Sequence, residues 1–203
     1  MTFCRFFWLF LVTSLAAFNI CIAAEKNEGN LEVKSELLRP CIQDPSYDCV
    51  KVDVLLHIDA PIDIVWQVIT DYQHAAHFIT NLKSSKEMTL APNVLMVEQI
   101  GRVGSGLLNI NIKTMSKVTL NPETKKIHSV SVGGDLLTVT MSTQLKSRAN
   151  GGSSLEYCLI TDPGPWAPLA ISEELLKRHA LQSFNDLKLE ILKRNSINPN
   201  FKL

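Results

Sequence analysis

Residues 50–82 read VKVDVLLHIDAPIDIVWQVITDYQHAAHFITNL. In the first nine positions Val50, Val52, Val54, Leu56 and Ile58 alternate with Lys51, Asp53 and His57. A period of two places the apolar set on one face of a half-buried strand. Asp59-Ala-Pro61 ends that strand, and proline, with its fixed φ and no N–H, suits the first position of a helix. Ile62, Val65, Trp66 and Ile69 then recur at helical spacing as far as Asp71. A second short helix is predicted from Asp71 to Ile79.

Downstream of Asn81 the pattern returns to a period of two, up to about residue 161. The turn signals are Ala91-Pro-Asn93, Gly104-Ser-Gly106, Asn121-Pro-Glu-Thr124, Gly133-Gly-Asp135 and Asn150-Gly-Gly152. Between them lie alternations such as Leu108, Ile110, Ile112 and Leu137, Val139, Met141, Thr143, Leu145. About six strands fit there, and turns this short make sequential strands antiparallel neighbours. Asp162-Pro-Gly-Pro-Trp-Ala-Pro168 excludes helix and inner strand. Beyond it Leu169 to Arg194 form a long amphipathic helix, with Leu169, Leu176, Ala180, Phe184, Leu187 and Ile191 on one side. The predicted class is α+β. One antiparallel sheet of seven strands, with two short helices after its first strand, buries a face against the long C-terminal helix.

Upstream, the chain reads as an address followed by a leader. Arg5 is the only charge before Glu25, Phe6 to Phe18 is a thirteen-residue apolar run, and Cys21-Ile-Ala-Ala24 supplies small residues. This describes a secretory signal peptide over residues 1–24, cleaved after Ala23 or Ala24, and an exported protein, periplasmic or secreted. Asn19 interrupts a run already shorter than the roughly 20 residues a membrane span needs. Residues 25–47 read as a polar leader, 48–195 as the folded domain and 196–203 as a tail. Cys41 and Cys49 flank a seven-residue loop containing Asp-Pro, and in an oxidising compartment they are predicted to form a disulfide. Cys158 is read as a buried free thiol in an apolar strand.

Composition excludes other classes. Across 203 residues 20 Lys+Arg meet 20 Asp+Glu, so the net charge is zero and no electrostatic footprint for nucleic acid exists. With 46% hydrophobic residues the chain is not disordered.

The order of elements, the stretch Ile58-Asp-Ala-Pro-Ile-Asp-Ile-Val-Trp66 and the stretch Ile69-Thr-Asp-Tyr-Gln-His-Ala-Ala-His-Phe-Ile-Thr-Asn-Leu82 together resemble the SRPBCC superfamily. That superfamily includes START lipid-transfer domains, polyketide cyclase/dehydrases and coenzyme-Q-binding proteins. Thr80 stands where proline is common in it, and the proline-rich 162–168 segment before a long helix resembles a START-type ending. The resemblance covers about residues 48–194. It implies a helix-grip fold, a curved seven-stranded sheet around the C-terminal helix with an apolar cavity between them, gated by the two short helices and a loop.

The residues themselves point to the same space. Ala180, with Ser183 at the border of its stripe, is small for a helix meant to fill a sheet's concave face, which leaves room for a ligand. The expected cavity residues are Phe78, Leu82, Leu108, Ile110, Val139, Met141, Glu173, Leu176, Ala180 and Phe184. Glu173 lies on that side by angle yet carries charge. It reads either as a hook or acid/base group for a ligand, or as a first-turn acid complementing the helix dipole.

Asp71, His74 and His77 share a helical face and are compatible with a metal. Nothing else supplies ligands, so they read as an Asp N-cap followed by solvated histidines. His57, His128 and His179 are dispersed and accompany no nucleophile motif, and Gly101-Arg-Val-Gly-Ser-Gly106 lacks the Lys and helix of a phosphate loop and reads as a hairpin. The expectation is a binding protein for a lipid, quinone or polyketide-like compound, with no cofactor or metal, and a transient membrane contact as its further partner. The alternatives are a cyclase, dehydratase or hydrolase in the same cavity, and a ligand-free interaction module. The sequence leaves the oligomeric state open.

Overall fold

The computed structural model describes residues 30–105, 108–136, 138–162 and 169–197; the side chains of 103–105, 108–110 and 169–172 are also outside the description. The signal-peptide reading of 1–24, the Pro-rich 163–168 and the end of the tail therefore lie outside the described residues.

Eight strands form one sheet: β1 (Leu31–Leu38), β2 (Cys49–Ile58), β3 (Leu82–Ala91), β4 (Val94–Ser105), β5 (Leu108–Asn121), β6 (Lys126–Gly134), β7 (Thr138–Ser147) and β8 (Ser153–Asp162). Helix α1 (Ile62–Ile69) follows β2, and α2 (Leu169–Ile197) follows β8. The sheet is antiparallel throughout, in the order β1-β2-β8-β7-β6-β5-β4-β3. β3 to β8 make the meander, and β2 then joins its far edge beside β8. The long helix packs along β1 and β2 and against α1. This is a helix-grip fold.

Three expectations change. The sheet has eight strands, because Leu31–Leu38, within the segment read as a leader, pairs with β2 from Leu31 opposite Leu56 to Leu38 opposite Cys49. It alternates Leu31, Val33, Ser35 and Leu37 with Glu32, Lys34 and Glu36, but a serine among four inward positions and three outward charges make it look like linker. The helix predicted from Asp71 to Ile79 is only a 3₁₀ turn, Ala75–His77, since Thr70 closes α1 by donating its hydroxyl to the Trp66 carbonyl at 2.8 Å. Cys158 is free but half-buried, on the polar outer face of β8 beside Asp53 and Ser142 rather than among the apolar residues of that strand.

Strand alternation decides where the core sits. Val50, Val52, Val54, Leu56 and Ile58 of β2 are almost fully buried and meet Ile64, Val65 and Val68 of α1, Leu155 of β8 and Ile191 of α2. A second, smaller cluster of Val97, Val118 and Ile127 lies under β4, β5 and β6, capped by Trp66, Ile69 and Tyr72. Gly134, at φ 117°, closes β6 so tightly that a Cβ there would collide with the Lys113 carbonyl oxygen. The Cys41–Cys49 disulfide is present and ties the loop after β1 to the start of β2.

Candidate functional site

α2 lies mainly over β1 and β2, and the inner face of β4 to β7 is covered in part, by the end of α1 and by contacts of α2 with β4. Between the two apolar clusters is a cavity of about 310 Å³. Its walls come from four places. Val97, Val118, Ile127 and Met141 stand on the sheet, and Tyr157 on β8 adds a ring. Val68 and Ile69 end α1, Phe78, Ile79 and Leu82 descend from the segment after it, and α2 contributes Ser183, Phe184 and Leu187. Tyr157 and Phe184 meet edge to face with centroids 5.0 Å apart, which joins helix to sheet at the cavity's side.

The segment 70–82 is fastened to α2 at two points. Arg194 donates to Asp71 across 2.9 Å, and the Thr80 backbone N–H donates to Asp186 across 2.8 Å. The Arg194 guanidinium also lies 5.6 Å from the Phe78 ring centroid, a cation–π distance. Burial raises the Asp71 carboxyl, but hydrogen bonds from His74 and Arg194 outweigh it, so its pKa lies below the usual carboxylate value. Arg194 also holds Glu190 at 2.8 Å and lowers its pKa in turn. Burial pushes the Tyr72 and Tyr157 phenols well above the usual tyrosine range, so both are neutral O–H groups at physiological pH.

The predicted residues divide. Phe78, Leu82, Met141 and Phe184 line the cavity together. Leu176 and Ala180 instead pack against the larger apolar cluster, and Val139 is buried on β7 away from the cavity wall. Leu108 and Ile110 lie outside the described side chains. Glu173 neither hooks into the cavity nor stands as a solvated first-turn acid: it accepts a hydrogen bond from Ser35 of β1 at 3.0 Å, fastening the start of α2 to the edge strand. Asp71 and His74 bond to each other at 2.6 Å, and among the described residues no three His, Cys, Asp or Glu side chains converge as metal ligands. The stretch from Gly101 runs as paired strand toward the β4–β5 hairpin.

Sequence reasoning missed Tyr72, Ser116, Ser129, Thr143 and Tyr157, all on the wall. A signal existed for two of them. Pairing the β7 and β8 alternations across Asn150-Gly-Gly152 sets Thr143 opposite Tyr157 and puts both on one face.

The family described as polyketide cyclase/dehydrase and lipid transport matches residues 58–182. Among curated proteins none matches the chain. Solved structures share the fold. A STAR-related lipid transfer protein from Xanthomonas axonopodis superposes with a TM-score of 0.65 at 11% identity, covering 82% of this chain and 96% of that one. The Zhui aromatase/cyclase from Streptomyces sp. R1128 gives 0.60 at 12% identity, covering 81% and 96%. Human StAR-related lipid transfer protein 5 gives 0.61 at 9% identity, covering 81% and 83%. Identities this low carry the fold alone.

Proposed function

The chain belongs to the polyketide cyclase/dehydrase and lipid transport family, and we propose that it is an exported carrier holding a hydrophobic small molecule, a lipid, quinone or polyketide-like compound, between sheet and α2. The observation that carries this reading is the cavity between the two apolar clusters, walled by both helices and the sheet and capped by a fastened segment. Its volume of about 310 Å³ falls at the lower end of small-molecule sites. An interaction module without a ligand would have its interior filled by side chains.

A cyclase or dehydratase would need an acid or base free to exchange protons in that space. Asp71 is engaged by Arg194 and His74, and the two tyrosines hold their protons too firmly for the task near neutrality. Binding without turnover is therefore the better reading.

Export is supported by the basic start, apolar run and small-residue exit of residues 1–24, and by a disulfide suited to an oxidising compartment. Among the described residues no helix is long and apolar enough to cross a membrane.

Native mass spectrometry of the protein from its own host tests these points together. The expected mass lacks about 23–24 residues, is lower by two hydrogens for the disulfide, and carries a non-covalent apolar adduct. A full-length chain would overturn export. A bare chain that also fails to take up an apolar dye would overturn the carrier.

A further inference from the structure

One side of the cavity is not apolar. Ser129 of β6 faces it with only 3% of its surface exposed, and its Oγ makes no hydrogen bond. A buried hydroxyl left unpaired is destabilising, and native chains retain few of them. Ser129 is opposite Met141 on β7, hence diagonal to Thr143, which is opposite Tyr157 on β8. With strands about 4.8 Å apart, these three hydroxyl residues make one short oblique row across the sheet. Tyr72 joins the same wall from the segment after α1.

Charge is nearly absent. Among the described lining residues Asp71 alone carries a formal charge, and its carboxylate already serves Arg194 and His74. A charged head group would be stripped of water here with no counter-ion to meet it. A neutral group that both donates and accepts would satisfy Ser129 and lie within the row.

Resting on the carrier reading above, we infer that the cavity selects neutral hydrophobes of modest size, a ring system or single chain bearing one hydroxyl or carbonyl that bonds to Ser129. Carboxylates and phosphate-headed lipids are disfavoured, because each would bring an unmatched charge into the same place.

The test is displacement of the neutral dye Nile red by naphthalene, naphthol and naphthoate, one ring frame carrying nothing, a hydroxyl or a carboxylate. At about neutral pH naphthol should compete roughly three- to tenfold better than naphthalene, the worth of one net hydrogen bond, and naphthoate worst. In Ser129→Ala the naphthol advantage should shrink to within about twofold, with naphthalene unchanged and the thermal midpoint equal or higher, since an unpaired hydroxyl has gone. Tyr157→Phe, which keeps the ring, gives a second reading of the row. If Nile red does not bind at all, the carrier reading falls and this inference with it. If the dye binds but the three compounds compete equally, or naphthoate competes best, or Ser129→Ala leaves the ratio unchanged, the carrier reading stands and the neutral-head inference is overturned.

Discussion

Ala180 and Ser183 lie three residues apart on α2, close enough to share a face, yet they do different work. Ala180 packs against the larger apolar cluster, whereas Ser183 borders the cavity. Ser183→Phe should therefore put a ring into ligand space, weakening Nile red binding by more than about tenfold while costing little stability. Ala180→Phe should do the reverse, losing about 1–3 kcal/mol by overpacking with a smaller effect on the dye. Equilibrium denaturation and dye titration on both variants check this; equal behaviour of the two would mean that the cavity and the core are not separate. The distinction was half legible. The helical stripe placed Ala180 inward correctly, but an angle on a wheel says which side a residue faces and not what stands opposite. That depends on how far α2 lies toward β1 and β2, which no local pattern encodes. Phe78, Leu82, Met141 and Phe184 were legible as inward and apolar. Ser129 was not, because a serine on an inward face reads as a break in the pattern until something is seen to occupy the space before it.

Among the elements, the segment from Thr70 to Leu82 supplies one wall of the cavity. It is short, mostly without regular structure, and held down by Asp71–Arg194 and Thr80–Asp186. The Asp71–Arg194 pair is not a free surface pair, for the side chains keep only 19% and 30% of their exposure, so it should contribute measurably. The folded Asp71 pKa lies below its ordinary 3.8. Its stabilising contribution is therefore complete above the unfolded value and disappears as pH falls through the lower folded one. Glu190, lowered from 4.5 by the same arginine, changes in the same sense. Comparing wild type with Asp71→Asn from about pH 7 to about pH 3, the stability difference should be largest at neutral pH and shrink below about pH 4. A difference that is the same at both ends would remove the ion pair from the account. A gating role for this segment came with the family resemblance, but its fastening was not legible, since Asp71 read as an N-cap and its partner, Arg194, is more than a hundred residues away. The missed edge strand β1 has the same cause. Its alternation is present, but a serine inside and three charges outside resemble a leader until β2 and α2 supply the surfaces it covers.

For the whole molecule the order of elements from β2 onward was readable, the second short helix apart, because hairpin turns and one long amphipathic helix leave few ways to bury a sheet. The division of the interior was not readable, since a cavity is set by the distance between elements and not by their composition. That division has a thermodynamic consequence. The cluster around β2, β8, α1 and α2 is large and closed, while Val97, Val118 and Ile127 form a small one on the far side of the cavity. Without a ligand the second cluster lacks packing partners along the cavity wall, and local opening should be easier there. Amide hydrogen exchange in the ligand-free protein should therefore be slowest in β2 and β8 and faster in β4, β5 and β6. A bound hydrophobe bridges the two clusters, so protection in β4 to β6 should rise more than protection in β2. A ligand at about one hundred times its dissociation constant should add about 2.7 kcal/mol of global stability, or roughly 5–11 °C in the thermal midpoint of a domain of this size. If the midpoint rises but protection increases uniformly, the ligand is acting only through global stability. If the midpoint does not move while Nile red still binds, the dye is held as well by the unfolded chain as by the folded one, and the space between the two clusters is not where this protein keeps its cargo.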